Sequence, residues 1–109
     1  MEYKVALVTG ASTGIGKAIA ESLTKNGIGL ILVARRKEKL EQLQRQMQSQ
    51  SHIIACDITD KKLVKEELNN LPENFANIDV LINCAGLALG LDAAQHTEWQ
   101  DWETMLNVN

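Results

Sequence analysis

The segment KVALVTGASTGIGKAIA, residues 4–20, places three glycines between a continuous apolar run and an amphipathic one. The run from Val5 to Val8 predicts a strand buried on both faces, and apolar residues from Ile15 onward recur at helical spacing. Glycine weakens strands and helices by up to about 1 kcal/mol relative to alanine. Three glycines at this junction therefore indicate a backbone turn that side chains would obstruct.

The same alternation of apolar and amphipathic segments continues outward from this stretch. Asn26-Gly27 is a plausible stop for the first helix, and Pro72 ends the third. The order β-α-β-α-β-α-β with short connections predicts an α/β fold, a doubly wound parallel sheet with helices on both faces. The further strands are predicted at 30–33, 52–55 and 78–82, the helices at 15–25, 40–50 and 63–71, and the start of one more helix at 98–108.

Composition excludes several classes of function. The chain has 109 residues, a net charge of −3 and no apolar run of 18 residues, so neither a membrane span nor nucleic acid as main partner is expected. No secretory leader is recognisable. Cysteines and histidines stand apart from one another, which predicts reduced thiols, no metal site and a cytoplasmic protein. The residues concerned are Cys56, Cys84, His52 and His96.

The glycines between strand and helix suit a phosphate site. A strand that feeds a helix through such a turn presents free N–H groups and the positive end of the helix dipole. Gly10 would permit the turn, Gly14 the approach of a pyrophosphate and Gly16 the packing of helix on strand, by analogy with dinucleotide-binding sites. The spacing is GxxxGxG rather than GxGxxG, and the alternative is that the glycines only make a turn.

Two arginines follow the second predicted strand. NAD-binding domains usually carry an acidic residue there, which holds the adenosine ribose hydroxyls. This chain has Arg35 and Arg36 instead, and guanidinium groups bind a 2′-phosphate through charge-assisted hydrogen bonds. The pair therefore predicts NADP(H) rather than NAD(H). The alternative is a solvated, basic start of a helix.

Polar and small residues follow the third and fourth strands. Asp57 lies where a carboxylate could accept a hydrogen bond from an adenine amino group, or could cap a helix, although Thr59 and Asp60 are better placed for capping. Asn83 can bridge neighbouring strands. Ala85 and Gly86 would let a ribose approach the backbone, and their alternative role is again a turn.

These residues together resemble the short-chain dehydrogenase/reductase family over the whole chain. Thr9–Gly16 is similar to its TGxxxGIG motif, and Asn83–Gly86 to its NNAG motif with cysteine at the second position. Residues 77–106 resemble, within the family, the NADP-dependent 3-hydroxy acid dehydrogenases, which include serine and allo-threonine dehydrogenases. The resemblance implies a cofactor site formed by Gly10, Ser12, Thr13, Gly14, Ile15, Gly16, Arg35, Arg36, Asp57, Ile58, Asn83, Ala85 and Gly86.

The resemblance also implies hydride transfer between NADP(H) and a small alcohol or carbonyl substrate, in a homo-oligomer. Asn109 matches the asparagine of the family's Asn-Ser-Tyr-Lys catalytic group, but the only tyrosine is Tyr3 and no YxxxK occurs. We therefore expect residues 1–109 to be the N-terminal, dinucleotide-binding part of one Rossmann-type domain, without its catalytic half and inactive alone. The alternatives are a non-catalytic NADP-binding module and a remnant that only self-associates, through the apolar run at 80–82.

Overall fold

The computed structural model describes residues 4–12 and 14–84, and these form a four-stranded parallel sheet with the strand order β3-β2-β1-β4. The predicted α/β architecture is confirmed. The elements in chain order are β1 (Val5–Thr9), α1 (Gly14–Lys25), β2 (Gly29–Ala34), α2 (Lys37–Arg45), β3 (Ser51–Ala55), α3 (Lys61–Asn69), a 3₁₀ turn (Glu73–Phe75) and β4 (Val80–Asn83).

Helices cover both faces of the sheet. Because successive side chains of a strand point to opposite faces, each central strand contributes to two cores. Leu7 packs in one core with Val64 of α3, and Val8 packs in the other with Leu40 of α2. Strands β1 and β2 are buried along their whole length, which is why their sequences are continuous apolar runs rather than alternating ones.

The buried face of α1 differs from the predicted one. Large apolar residues at helical spacing indicated a face that includes Ile15, yet Ile15 is 59% exposed. The buried residues are instead Gly16, Ala20 and Thr24, which recur every four positions. Small side chains bring the helix close to the sheet, so Ile19 is left only half-buried at the flank of the contact.

The predicted stop of α1 is confirmed. Gly27 has a φ of 75°, a left-handed conformation that favours glycine. Its N–H donates to the Thr24 carbonyl, and the N–H of Ile28 donates to the Leu23 carbonyl. These two hydrogen bonds form a Schellman motif, which satisfies carbonyl groups left open at the end of the helix.

Helix α2 ends at Arg45, earlier than the predicted residue 50. The buried Thr24 hydroxyl accepts hydrogen bonds from the backbone N–H groups of Gln48 and Ser49, at 2.9 and 2.7 Å. The Ser49 hydroxyl in turn donates to the Ile28 carbonyl at 2.7 Å. Because these N–H groups bond to α1 instead of to α2, the helix does not continue.

The other element bounds shift by a few residues. Strand β4 begins at Val80 rather than at residue 78, and Asp79 just before it bonds to Val5 twice: its carboxylate accepts from the Val5 N–H and its own N–H donates to the Val5 carbonyl, both at 2.9 Å. Strand β3 begins at Ser51, and α3 ends at Asn69. The helix predicted at 98–108 lies outside the described residues.

Candidate functional site

The parallel sheet brings the ends of four strands to one edge. Gly10, Arg35, Asp57 and Asn83 each lie at or just beyond the carboxyl end of a different strand. Between β1 and β4 the strand order reverses direction, and ligands of open α/β sheets bind at such a point. The candidate site therefore lies along this edge, in front of β1.

The glycine-rich turn packs as closely as the sequence predicts. Gly10 has a φ of 65°, in the left-handed region. A Cβ atom on Gly16 would lie 2.8 Å from the carbonyl carbon of Gly10 and nearer still to its oxygen. Only a glycine at position 16 lets α1 begin this close to the end of β1.

Gly14 has the opposite surroundings. A Cβ atom added to it would meet no atom of the described residues within 4 Å, so these residues leave open space in front of the first turn of α1. That turn contains no acidic residue, so none of its own side chains offsets the positive end of the helix dipole. The space and the charge suit an anion there, and binding of a pyrophosphate by Gly14 stays a prediction.

Arg35 and Arg36 are both exposed at the end of β2. Arg36 is the N-cap residue of α2, and its side chain makes no capping hydrogen bond. Arg35 lies near enough to Asp57 for its positive charge to lower the pKa of that carboxyl group. The two guanidinium groups are thus displayed at the edge of the sheet, and their contact with a 2′-phosphate stays a prediction.

Asp57 does not cap α3. Its Oδ1 atom accepts hydrogen bonds from the Thr59 N–H at 2.9 Å and from the Thr59 hydroxyl at 2.7 Å. The cap of α3 is Asp60, whose carboxylate accepts from the Leu63 N–H at 3.1 Å. Asp57 therefore keeps an exposed carboxylate at the end of β3, and Ile58 beside it packs partly against the core on the α3 face.

The pKa of Asp57 is lowered, first by the hydrogen bond from the Thr59 hydroxyl, then by that from the Thr59 N–H, with Arg35 adding a smaller effect. Thr59→Val removes the hydroxyl and keeps the N–H, so we expect the pKa of Asp57 to rise toward its ordinary value. A lowered pKa stabilises the folded state above the unfolded-state pKa, and this contribution is lost as pH falls through the folded-state pKa. In the variant the contribution of Asp57 should be smaller, and it should disappear at a higher pH than in the wild type.

An NMR titration of the Asp57 carboxyl carbon measures this change directly. Thr59→Ser keeps a hydroxyl in the same place and serves as the matched control, with a pKa near that of the wild type. Equal pKa values in Thr59→Val and the wild type would show that the hydroxyl does not stabilise the carboxylate.

Thr9 and Asn83 join the two central strands at the candidate site. They are register partners in β1 and β4, and the Thr9 hydroxyl donates to the Asn83 Oδ1 atom at 2.6 Å. The same hydroxyl accepts from the Cys84 N–H at 3.0 Å. The predicted bridge by Asn83 is confirmed. Thr9 is completely buried. The sequence analysis did not predict that Thr9 joins the two strands, although a threonine at the end of an apolar run indicates a polar contact there.

The two cysteines are free and buried. Burial raises the pKa of the Cys84 thiol, and burial followed by the charge of Glu67 raises that of Cys56. Neither thiol is therefore activated as a nucleophile. Among residues 4–12 and 14–84, no group of three or more histidine, cysteine or acidic side chains could hold a metal ion, and no helix is long and apolar enough to span a membrane.

Four predicted site residues cannot be placed. Thr13, Ala85, Gly86 and Asn109 lie outside the described residues, so the structure neither joins them to this edge nor separates them from it.

The family model for short chain dehydrogenase matches residues 4–109. The chain belongs to the short-chain dehydrogenase family. This finding confirms the resemblance found on the glycine-rich turn and on the segment from Asn83.

Curated relatives agree with the narrower resemblance. The chain is 44% identical over 103 residues to serine 3-dehydrogenase of Rhizobium radiobacter. The aligned residues make up 94% of this chain and 41% of that protein. It is 37% identical over 105 residues to the NADP-dependent 3-hydroxy acid dehydrogenase YdfG of Escherichia coli K12. These aligned residues make up 96% of this chain and 42% of YdfG. The chain thus spans less than half the length of these relatives.

Solved structures share the fold. Serine dehydrogenase from Escherichia coli superposes with a TM-score of 0.73 at 32% identity, covering 94% of this chain and 47% of that one. A metagenomic short-chain oxidoreductase in complex with NADP superposes with a TM-score of 0.66 at 34% identity. The superposed part covers 72% of this chain and 37% of the oxidoreductase.

Proposed function

We propose that this chain is the NADP(H)-binding part of a short-chain oxidoreductase that interconverts an alcohol and a carbonyl compound by hydride transfer. The observation that carries the proposal is the arrangement at the carboxyl edge, where the open space at Gly14 and the exposed guanidinium groups of Arg35 and Arg36 follow adjacent strands. Two sites for phosphate groups on adjacent strands fit a dinucleotide with a further phosphate on its ribose.

Each part of the edge has a role in this proposal. The N–H groups at the start of α1 bind the pyrophosphate, and the arginine pair binds the 2′-phosphate. Asp57 accepts a hydrogen bond from the adenine amino group. The bond between Thr9 and Asn83 holds the end of β4 beside β1, where the ribose and nicotinamide pass. The bound nicotinamide supplies the chemistry, because it donates or accepts the hydride.

The substrate class comes from the relatives. By name, one relative acts on serine, whose hydroxyl group is on C3, and the other on 3-hydroxy acids. We propose 3-hydroxy acids as the substrate class of the protein to which residues 1–109 contribute the dinucleotide-binding part of a single domain. Proton transfer requires an acid–base group, and these 109 residues contain no YxxxK. Asn109 stays the predicted catalytic residue of this part.

Calorimetric titration of the chain with NADPH and NADH tests the proposal. We expect NADPH to bind at least about tenfold more tightly, since one charge-assisted contact contributes about 1.5–3 kcal/mol. With serine, allo-threonine or another 3-hydroxy acid and NADP, the chain alone should show no turnover. Equal affinities would contradict the cofactor assignment, and a robust rate would contradict the division into a binding and a catalytic part.

A second candidate function is self-association without cofactor binding. Val80 is 44% exposed, and in the described part of the chain β4 pairs only with β1. An apolar strand edge of this kind can pair with a second copy. Sedimentation at several concentrations, with and without NADPH, separates the two candidates: the second requires association and no cofactor binding. A homo-oligomer and a cytoplasmic location stay predictions for the whole protein.

A further inference from the structure

An asparagine–glycine pair, Asn26-Gly27, lies at the end of α1, at the edge of the sheet opposite the candidate cofactor site. Both residues are exposed. In such a pair the backbone nitrogen of the glycine can attack the side-chain amide carbon of the asparagine, because glycine has no side chain that hinders the approach. The turn that ends the helix therefore contains a pair of groups that can react with each other.

The reaction is spontaneous deamidation. A bond forms between the Gly27 nitrogen and the Asn26 Cγ atom, and the Cγ–Nδ2 bond breaks. The side-chain nitrogen leaves as ammonia and takes the proton of the Gly27 nitrogen with it. Water then opens the cyclic imide at either of its carbonyl carbons, which gives aspartate or isoaspartate. Water is the only co-reactant, and no group is oxidised or reduced.

Hydrogen bonds hold both reacting groups in the folded chain. The Asn26 Nδ2 atom donates to the Ser22 carbonyl at 2.9 Å, which directs the side-chain amide back along the helix. The Gly27 N–H donates to the Thr24 carbonyl at 3.1 Å. Because the Gly27 nitrogen must lose this proton and approach the Asn26 side chain, both hydrogen bonds must open before the imide can form.

The last turn of α1 can open without the rest of the fold. Ser22 and Asn26 are exposed, and exposed helix ends open at a lower free energy than the core. Thr24 between them is buried, and its hydroxyl accepts hydrogen bonds from the N–H groups of Gln48 and Ser49. The exposed side of the turn can therefore open while Thr24 keeps the helix attached to the chain that follows α2.

The products do not fit the position that Asn26 occupies. An aspartate has no proton to donate, so its carboxylate would face the Ser22 carbonyl as acceptor against acceptor. It would also add a negative charge at the negative end of the helix dipole. Isoaspartate lengthens the backbone inside the turn. A modified molecule therefore keeps the end of α1 open.

We propose that Asn26 is a modification site, at which the folded chain deamidates through local opening of the last turn of α1. We expect conversion about ten- to hundredfold slower in the folded chain than in guanidinium chloride, the effect of two hydrogen bonds of ordinary strength. Peptide mapping by mass spectrometry, after incubation at neutral pH, measures the conversion at each asparagine and separates aspartate from isoaspartate.

Asn70 is the matched control within the same chain. Its Nδ2 atom donates to the Glu66 carbonyl at 2.9 Å, the same arrangement as at Asn26, but the next residue is Leu71, whose side chain hinders the attack. Asn70 should therefore stay intact in both conditions. Hydrogen exchange of the Gly27 amide requires only one of the two bonds to open, so folding should slow this exchange less than it slows the conversion.

Three results would overturn the proposal. Equal conversion of Asn26 in the folded and unfolded chains would show that the hydrogen bonds do not restrain the reaction. A folded-state rate no higher than the global unfolding equilibrium allows would show that the turn does not open locally. Conversion of Asn70 as fast as that of Asn26 in guanidinium chloride would show that the glycine does not determine the site.

Discussion

Arg35→Asp is expected to abolish the preference for NADPH over NADH. Loss of one charge-assisted contact costs about 1.5–3 kcal/mol, or roughly ten- to hundredfold in affinity for NADPH, and the new carboxylate also repels the 2′-phosphate. For NADH the change should be neutral or favourable, because an acidic residue at the end of this strand can accept hydrogen bonds from the ribose hydroxyls. Calorimetric titration with both cofactors measures the two affinities.

The control for this prediction is Arg45→Asp, which makes the same change of charge in the last turn of α2, at the other end of the helix. We expect it to keep the wild-type preference for NADPH, so that a general effect of net charge is separated from a contact. The prediction is wrong if Arg35→Asp keeps that preference as well, or if both variants lose it equally.

Gly16→Ala is expected to destabilise the fold and to impair cofactor binding at the same time. The new methyl group would lie 2.8 Å from the Gly10 carbonyl carbon and 3.1 Å from the Ala11 Cα, both of them backbone atoms. Backbone cannot move aside as a flexible side chain can, so α1 must shift away from the end of β1. Overpacking of this kind typically costs about 1–3 kcal/mol, and we expect a loss near the upper value in urea unfolding.

Gly14→Ala is the matched control two residues earlier. Within residues 4–12 and 14–84 nothing lies within 4 Å of the added methyl group, so the free energy of unfolding should stay equal or rise. Affinity for NADPH should nevertheless fall, because the methyl group enters the space proposed for the pyrophosphate. The expected pattern is therefore that Gly16→Ala loses both stability and binding, whereas Gly14→Ala loses binding alone. A Gly16→Ala variant as stable as the wild type would contradict the close packing.

Local sequence patterns were sufficient for the order of elements and for the residues at the edge of the sheet. Continuous apolar runs marked the buried strands, because β1 and β2 are covered on both faces. Gly27 marked the end of α1, since only a residue tolerant of positive φ completes that turn. Once the sheet is parallel, residues that follow its strands must share one edge, so Arg35 and Asp57 could be placed together from sequence order alone.

Tertiary structure decided the features that depend on residues far apart in the chain. Helix α2 stops at Arg45 because Thr24, on another helix, binds the N–H groups that follow it. The Asp79 carboxylate beside the start of β4 bonds to the N–H of Val5, 74 positions away. No local pattern encodes such contacts, since each depends on which surfaces meet after folding.

The same holds for the two sides of α1. Large apolar side chains predicted the face with Ile15, but close approach to the sheet selected the small residues Gly16, Ala20 and Thr24 for burial. A cleft lined by Ser12 of the glycine-rich turn and by Lys39 of α2 likewise exists only once α1 and α2 lie side by side. From the sequence, Lys39 is one charge in a solvated helix; its position against the glycine-rich turn follows from the packing of both helices on one face of the sheet.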